Sequence, residues 1–390
     1  MRDETSDSGR SKVHSQSGRG TGGGLDVTQL PRNAEPPPLP QGDWREARGR
    51  LQDLFQRYVY GYLPTAVAPA TEVVAEREGI VEGRGDYREV RLRCPLPNGR
   101  VHSFRVALFL PAGRRSPVCT FMAINRVASH TLVQDECVHE LKPPVVRPAD
   151  ADLFKAGRGS RSQLFPVEMI LERGCALATT SGYEVEPDFP DAEHGVRAKW
   201  SGEQHGGSRW GTLAAWAWAL HRMADYLMTV EEVDPQRLCV VGHSRRGKAA
   251  LLAGALDERI SRAIPHQSGT GGMALSRCGP SESVKQITSS FPHWFCPDFA
   301  RFAGREEHLP VDQHMLAALV APRFLLDTEG FQDDWASPWL AHRSLRLALP
   351  AWRSEGAEGR AAQVVLDKPH RMDREYWNVF LEFADRLPVS

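Results

Sequence analysis

The residues best suited to chemistry lie in one segment, Leu238-Cys239-Val240-Val241-Gly242-His243-Ser244-Arg245-Arg246-Gly247-Lys248-Ala249-Ala250. It reads as an apolar strand, a glycine-flanked turn and then a helix. Such a turn lifts a serine hydroxyl above the carboxyl edge of a sheet and aims a helix N-terminus at developing negative charge. The spacing is G-x-S-x-x-G, one residue longer on the far side than the usual G-x-S-x-G. The same residues also spell G-x-x-x-x-G-K, as in a phosphate loop. That reading needs Ser or Thr after the lysine to hold magnesium, and Ala249 stands there instead. It would also put two bulky arginines where backbone amides should cradle phosphate. A buried turn serine with solvated arginines is the plain structural alternative.

A nucleophilic serine needs a histidine base and a carboxylate to orient it, in the chain order Ser, acid, His for a turn of this kind. Val364-Val365-Leu366 reads as a last strand, and Asp367-Lys368-Pro369-His370 as the loop beyond it, so His370 is the base. His314 and His293 compete for that role. Phe324-Leu325-Leu326 reads as the preceding strand, and the loop after it offers Glu329, Asp333 and Asp334. Gly330-Phe331-Gln332-Asp333 has the turn-then-aspartate form, so Asp333 is the expected acid, with Glu329 next. Arg245 would set a fixed positive charge at the helix N-terminus, where an oxyanion would form. Lys248, one turn on, shares a helix face with Ser244.

These side chains need a scaffold, and the sequence pattern supplies one. Trp44 opens an amphipathic stretch with Leu51, Leu54, Phe55 and Tyr58 at helical spacing. Two extended runs, Arg88 to Cys94 and Val101 to Leu110, flank Pro97-Asn98-Gly99, a hairpin turn. Short apolar runs then follow at Val118 to Ile124, Cys175 to Thr180, Arg237 to Val241, Arg323 to Leu326 and Gln363 to Leu366. Between or after them lie helical stretches such as Leu213 to Met228, Lys248 to Leu256 and Glu375 to Leu387. This alternation predicts an α/β protein with a mostly parallel sheet covered on both faces, entered through antiparallel strands. Cys137 to Ser162 reads as a loop inserted over the sheet's upper edge.

The chain has 390 residues, 41% hydrophobic and 25% charged, enough for a substantial core. Its 48 basic and 49 acidic side chains leave a net charge of −1, which argues against nucleic-acid binding by bulk electrostatics and against a polybasic membrane anchor. No apolar run approaches the ~18 to 20 residues of a membrane span. Residues 1–43 contain no Phe, Trp or Tyr and end in Pro36-Pro37-Pro38-Leu39-Pro40, so a disordered polar tail is expected there, ahead of a catalytic domain over 44–390. The polar start lacks the apolar stretch of a secretory signal, so the sequence alone reads as cytoplasmic, with export left open. Seven cysteines show no C-x-x-C pair and are expected as free thiols; Cys278, His293 and Cys296 are too casual a grouping to be read as metal ligands.

Several further stretches join the serine motif in resembling a known family. They are Trp210-Gly211-Thr212 with Ala215-Trp216-Ala217-Trp218, Gln267-Ser268-Gly269-Thr270-Gly271-Gly272, Phe291-Pro292-His293-Trp294-Phe295-Cys296 and Leu309-Pro310-Val311-Asp312-Gln313-His314. Over roughly Trp44 to Leu387 the chain resembles the glucuronoyl esterases of carbohydrate esterase family 15, above all their bacterial branch. The late glycine of the serine turn is itself a feature of that family. The resemblance implies an α/β-hydrolase three-layer sandwich, Ser244 as nucleophile, His370 as base and Arg245 as an oxyanion ligand. Lys248 and Trp335 match positions where family members contact the uronic acid sugar, and Gln267 is counted with them on the substrate side.

The sequence departs from the family at four places. Gln267 stands where fungal members carry the triad glutamate, so the acid must come from the later loop, and that loop, Gln332-Asp333-Asp334-Trp335, itself differs from the family's usual pattern. His243 replaces the cysteine that precedes the serine in fungal members, removing that disulfide. Asn125-Arg126-Val127-Ala128-Ser129-His130 lacks the glycine usual in the corresponding loop. The expected activity is hydrolysis of the C6 ester of glucuronic or 4-O-methylglucuronic acid, as in the lignin esters of xylan, through an acyl-enzyme. The expected enzyme is monomeric, needs no cofactor, and acts on a small-molecule or oligosaccharide uronate ester. The alternatives are a general carboxylesterase or acetyl esterase on the same scaffold, and a catalytically silent carbohydrate-binding protein.

Overall fold

The computed structural model describes residues 34–386 apart from 66, 191–192, 202–208 and 280–281. Most of the expected tail, 1–33, and the last residues, 387–390, lie outside the described residues. Residues 34–43 lie against the body ahead of the first helix. Glu35 pairs with Arg343 at 2.7 Å, and the Pro37 carbonyl meets His314 Nε2 at 2.9 Å.

Nine strands form one sheet: β1 Ala70–Gly79, β2 Gly85–Pro95, β3 Val101–Pro111, β4 Val118–Asn125, β5 Ala176–Ser181, β6 Val233–His243, β7 Arg262–His266, β8 Phe324–Gly330 and β9 Ala361–Leu366. Their spatial order is β1-β2-β3-β5-β4-β6-β7-β8-β9. The β1, β2, β3 and β5 pairings are antiparallel, and every pairing from β5 to β9 is parallel. The β2–β3 hairpin turns where Gly99 takes φ +79°, a conformation glycine adopts without a Cβ penalty. β4 and β5 exchange places relative to chain order, and β6 continues outward from β4, so β6 ends near the middle of the sheet.

The pleat divides the continuous apolar runs between two layers. On β4 and β6, Met122, Ile124, Leu238 and Val240 enter one core. It also holds the helices Trp44–Phe55, Thr212–Leu227, Arg245–Leu256 and Pro338–Ser354. Phe121, Ala123, Cys239 and Val241 enter the opposite core with Val167–Glu172 and the closing helix Arg374–Ala384. Trp377 of that last helix is fully buried against Phe121 and Phe165, and truncating so large a core side chain costs about 3–5 kcal/mol. The three-layer α/β-hydrolase architecture expected from the sequence is therefore present, with antiparallel strands at its N-terminal edge. All seven cysteines are free, six of them buried and Cys137 exposed.

Two strands went unread in the sequence, and others, β2, β6 and β8 among them, were read short. β1 is an edge strand whose side chains are nearly all exposed, so it carries no apolar pattern. β7 is only five residues long and contains Pro265. β8 runs on through Asp327, Thr328 and Glu329, all fully buried. Their polarity suggested a loop.

Candidate active site

Ser244 sits between β6 and the Arg245–Leu256 helix with φ +59° and ψ −126°. A non-glycine residue in that region carries strain of about 1–3 kcal/mol and persists only where the surroundings enforce it. Here the enforcement is steric. A Cβ on Gly242 would lie 2.2 Å from the Arg246 carbonyl oxygen, and one on Gly247 would lie 2.8 Å from that of His266. The second contact explains the late glycine: Gly247, three residues past the serine, is where the helix meets the end of β7. The Ser244 amide donates to the His266 carbonyl at 3.0 Å, fixing the turn to that strand.

His370 stands in the loop after β9, and its Nδ1 lies 2.5 Å from Asp333 Oδ2. Asp333 is buried, and its other oxygen accepts from the Ala336 amide at 3.1 Å. Ser244 and His370 line the same two cavities, so the fold brings Ser244, His370 and Asp333 together. Glu329, the other acid considered, lies fully buried inside β8, with its carboxyl beside that of Asp327. Burial, reinforced by Asp327, pushes its carboxyl well above the usual range, so it stays protonated. The competing histidines are also elsewhere: His293 faces Asp188 at 3.1 Å, and His314 meets the Pro37 carbonyl.

Gln267, grouped with the substrate contacts from sequence, lines one of these two cavities, and its amide is also engaged inside the protein. Its Oε1 accepts from the Arg371 amide at 2.8 Å and from His243 Nε2 at 3.1 Å. Its Nε2 donates to the Pro369 carbonyl at 3.1 Å and to the Tyr376 hydroxyl at 3.4 Å. All four hydrogen-bonding positions of the amide are thus filled inside the protein. Two of them grip the residues on either side of His370. His266 adds a third grip, its Nε2 donating to the Arg371 carbonyl at 2.9 Å. Burial, with His266 and His370 nearby, holds the pKa of His243 well below its usual value, and burial takes that of His266 to about 4. Both rings are therefore neutral struts beside His370, and the His243 and His370 centroids are 4.5 Å apart.

Arg245 is held rigidly at the helix start. Its guanidinium donates to Asp188 at 2.6 Å and lies over the rings of Trp294 and Phe291 at 4.5 and 5.0 Å. Those two rings stack at 3.7 Å. Asp188 also accepts from the Trp294 indole at 2.7 Å. Burial alone would raise the Asp188 carboxyl, but His293 and Arg245 hold it well below the usual carboxylate range. Asp188, unnoticed in the sequence, is signalled there only by the acidic spacing Glu184, Glu186, Asp188.

Lys248 donates to the carbonyls of Ser268 and Thr270, both at 2.6 Å, which leaves one ammonium proton. Burial lowers its pKa to about 8, opposed by Glu282. Lys248, Glu282 and Trp335 line a cavity of about 100 Å³ beside Ser244. Glu282 is buried with Oε1 unpartnered; the sequence reading missed it. Trp335 is 59% exposed, which sets it apart from a core residue. On the other side of Ser244, Asn125, Arg126 and Val127, from the Asn125–His130 segment lacking the family's glycine, help wall a larger cavity of about 370 Å³. Among the described residues no cluster of His, Cys, Asp or Glu is arranged to hold a metal ion.

A strained serine on a strand-to-helix turn, with a His–Asp pair on the two following loops, defines an α/β-hydrolase site. Comparison with known proteins gives the family. A model described as "Glucuronyl esterase, fungi" matches residues 169–356. The chain is 30% identical to carbohydrate esterase MZ0003 of an unidentified prokaryote, over 92% of this chain and 91% of that protein. It superposes with TM-score 0.81 and 29% identity on a promiscuous CE15 esterase from a marine bacterial metagenome, covering 92% and 98% of the two chains. A 4-O-methyl-glucuronoyl methylesterase of Neurospora crassa is 42% identical over 33% of this chain and 35% of its own length. The protein belongs to carbohydrate esterase family 15, the glucuronoyl esterases, and is a carboxylic ester hydrolase.

Proposed function

We propose that this enzyme hydrolyses the C6 ester of glucuronic or 4-O-methylglucuronic acid by a Ser244–His370–Asp333 triad. The observation that carries the reading is the 2.5 Å bond from His370 to the buried Asp333, with Ser244 and His370 lining the same two cavities. The uronoyl ring lies in the smaller cavity, where Lys248 and Glu282 offer one donor and one acceptor to its oxygens and Trp335 offers an exposed ring face. Ser244 Oγ attacks the C6 carbonyl carbon as His370 Nε2 takes its proton, and the Asp333 carboxylate stabilises the resulting imidazolium by accepting a hydrogen bond from its Nδ1–H. The oxyanion forms beside the Arg245 amide and guanidinium, donors already fixed by the helix start and by Asp188. His370 returns its proton to the departing alcohol. Water, deprotonated by the same histidine, then releases the uronate and restores Ser244.

The two other readings, a general carboxylesterase and a silent sugar-binding protein, are separated by one comparison. Turnover of benzyl glucuronate well above that of 4-nitrophenyl acetate supports the proposal. Acetate turnover alone gives the general esterase, and sugar binding without hydrolysis gives the binding protein.

A further inference from the structure

The larger cavity beside Ser244 has an unusual charge balance. Among the described residues Arg126, Arg161, Arg245, Arg246 and Arg371 line it, and no carboxylate does. Three of the five are neutralised from outside the cavity: Arg126 by Asp150, Arg245 by Asp188 and Arg371 by Asp373. Arg161 and Arg246 are not. Among the described residues neither side chain has an ion pair or a hydrogen bond, and the carboxylates nearest in charge, Asp150 and Asp188, already hold other arginines. The Arg246 guanidinium lies over the Trp216 ring at 4.7 Å, and its Nε is sealed from solvent without a partner. Burial lowers the pKa of Arg246 to about 9 and also lowers that of Arg161. Two cations desolvated without counter-charge are costly, and the cost is relieved when a ligand brings the anion. Leu164, Phe165 and Met372 give the same cavity an apolar wall that suits a ring.

We propose that this cavity receives the alcohol side of the ester, and that the alcohol carries an anionic oxygen group, a carboxylate or a sulfate-type group, bound by Arg161 and Arg246. The guanidinium fork matches either group. The assignment of this cavity to the alcohol rests on the placement of the uronoyl ring against Lys248 and Trp335.

The test compares kcat/KM for the benzyl, 4-carboxybenzyl and 4-sulfobenzyl esters of glucuronic acid at low salt. At least one anionic ester should be preferred over benzyl by about 10-fold or more, as a charge-assisted pair in a recessed site gives. The preference should shrink with added salt and fall toward unity in Arg161→Gln and Arg246→Gln. Which anion is preferred distinguishes carboxylate from sulfate-type substrates. Equal use of all three esters overturns the proposal, as does a preference that survives in both variants. Arg161 is half-exposed, so its variant keeps the test open if Arg246→Gln fails to fold. Calorimetric binding of 4-(hydroxymethyl)benzoate and 4-(hydroxymethyl)benzenesulfonate against benzyl alcohol separates the two layers of argument. Arg161-dependent anion binding without turnover of any uronate ester overturns the proposed activity and upholds the anion site. Uronate turnover without anion binding does the reverse.

Discussion

Replacing Asp333 by Asn probes the triad at its most constrained joint. The Ala336 amide donates to Asp333 Oδ1 at 3.1 Å, while Oδ2 faces His370 Nδ1 at 2.5 Å. In Asp333→Asn the side-chain oxygen must stay on the Ala336 amide, since a nitrogen there would set two donors against each other. The new NH2 group then faces His370 and forces Nδ1 to act as acceptor. The ring proton moves to Nε2, the atom that must take the Ser244 proton. An imidazole in that tautomer cannot serve as base, and the analogous change in a serine protease lowers kcat by about 10⁴-fold. That corresponds to about 5.5 kcal/mol of lost transition-state stabilisation. The assay is steady-state hydrolysis of benzyl glucuronate, with melting curves to confirm that the variant folds. The expected result is a loss in kcat near that size with little change in KM. A folded Asp333→Asn enzyme within 10-fold of wild type refutes the reasoning. If Glu329→Gln were the inactive variant instead, the buried glutamate would be the acid.

Three further outcomes follow from the same geometry. Gln267→Ala releases the Pro369 carbonyl and the Arg371 amide, so kcat should drop about 10- to 100-fold with KM nearly constant; a rise in KM alone would make Gln267 a substrate contact after all. Lys248, whose pKa is about 8, loses its charge as pH rises through that value, so inhibition by the product glucuronate should weaken across pH 8 in wild type. In Lys248→Met it should be weak by about 10-fold and flat with pH; an unchanged pH dependence would place the titrating group elsewhere. For Glu329 the folded carboxyl titrates far above its unfolded value. Its stability contribution is complete below the ordinary glutamate range and declines as pH rises toward the folded pKa, by about 1.4 kcal/mol per pH unit. Glu329→Gln removes that decline, so its melting temperature should gain on wild type more at pH 8 than at pH 5; an equal gain at both would mean that Glu329 is ionised in the fold.

The sequence made the centre of the sheet legible because Val118 to Ile124 and Leu238 to Val241 are buried on both faces and read as unbroken apolar runs. It concealed β1 for the opposite reason, since an exposed edge strand needs no apolar residue. Ser244, His370 and Asp333 could be picked out as candidates because each follows a strand at a turn. The inward hydrogen bonds of Gln267 were not legible, because a residue's type and position reveal its chemistry but not the direction of its side chain. What turns it inward is the pair of backbone groups flanking His370, about 100 residues away in the chain. Glu282 and Asp188 carry no local motif; they become visible only when the Arg245–Leu256 helix brings Lys248 and Arg245 beside them. The cationic cavity is likewise a product of folding, since Arg126, Arg161 and Arg371 are scattered through the sequence.

The central claim, that Ser244 is the nucleophile of a uronate esterase, is tested most directly by the hydrolysis of benzyl glucuronate in wild type and Ser244→Ala. The account predicts ready turnover by wild type and a loss of about 10⁵-fold or more in kcat in the folded variant, leaving only the rate supported by oxyanion binding and positioning. Turnover by Ser244→Ala within about 10-fold of wild type would contradict it.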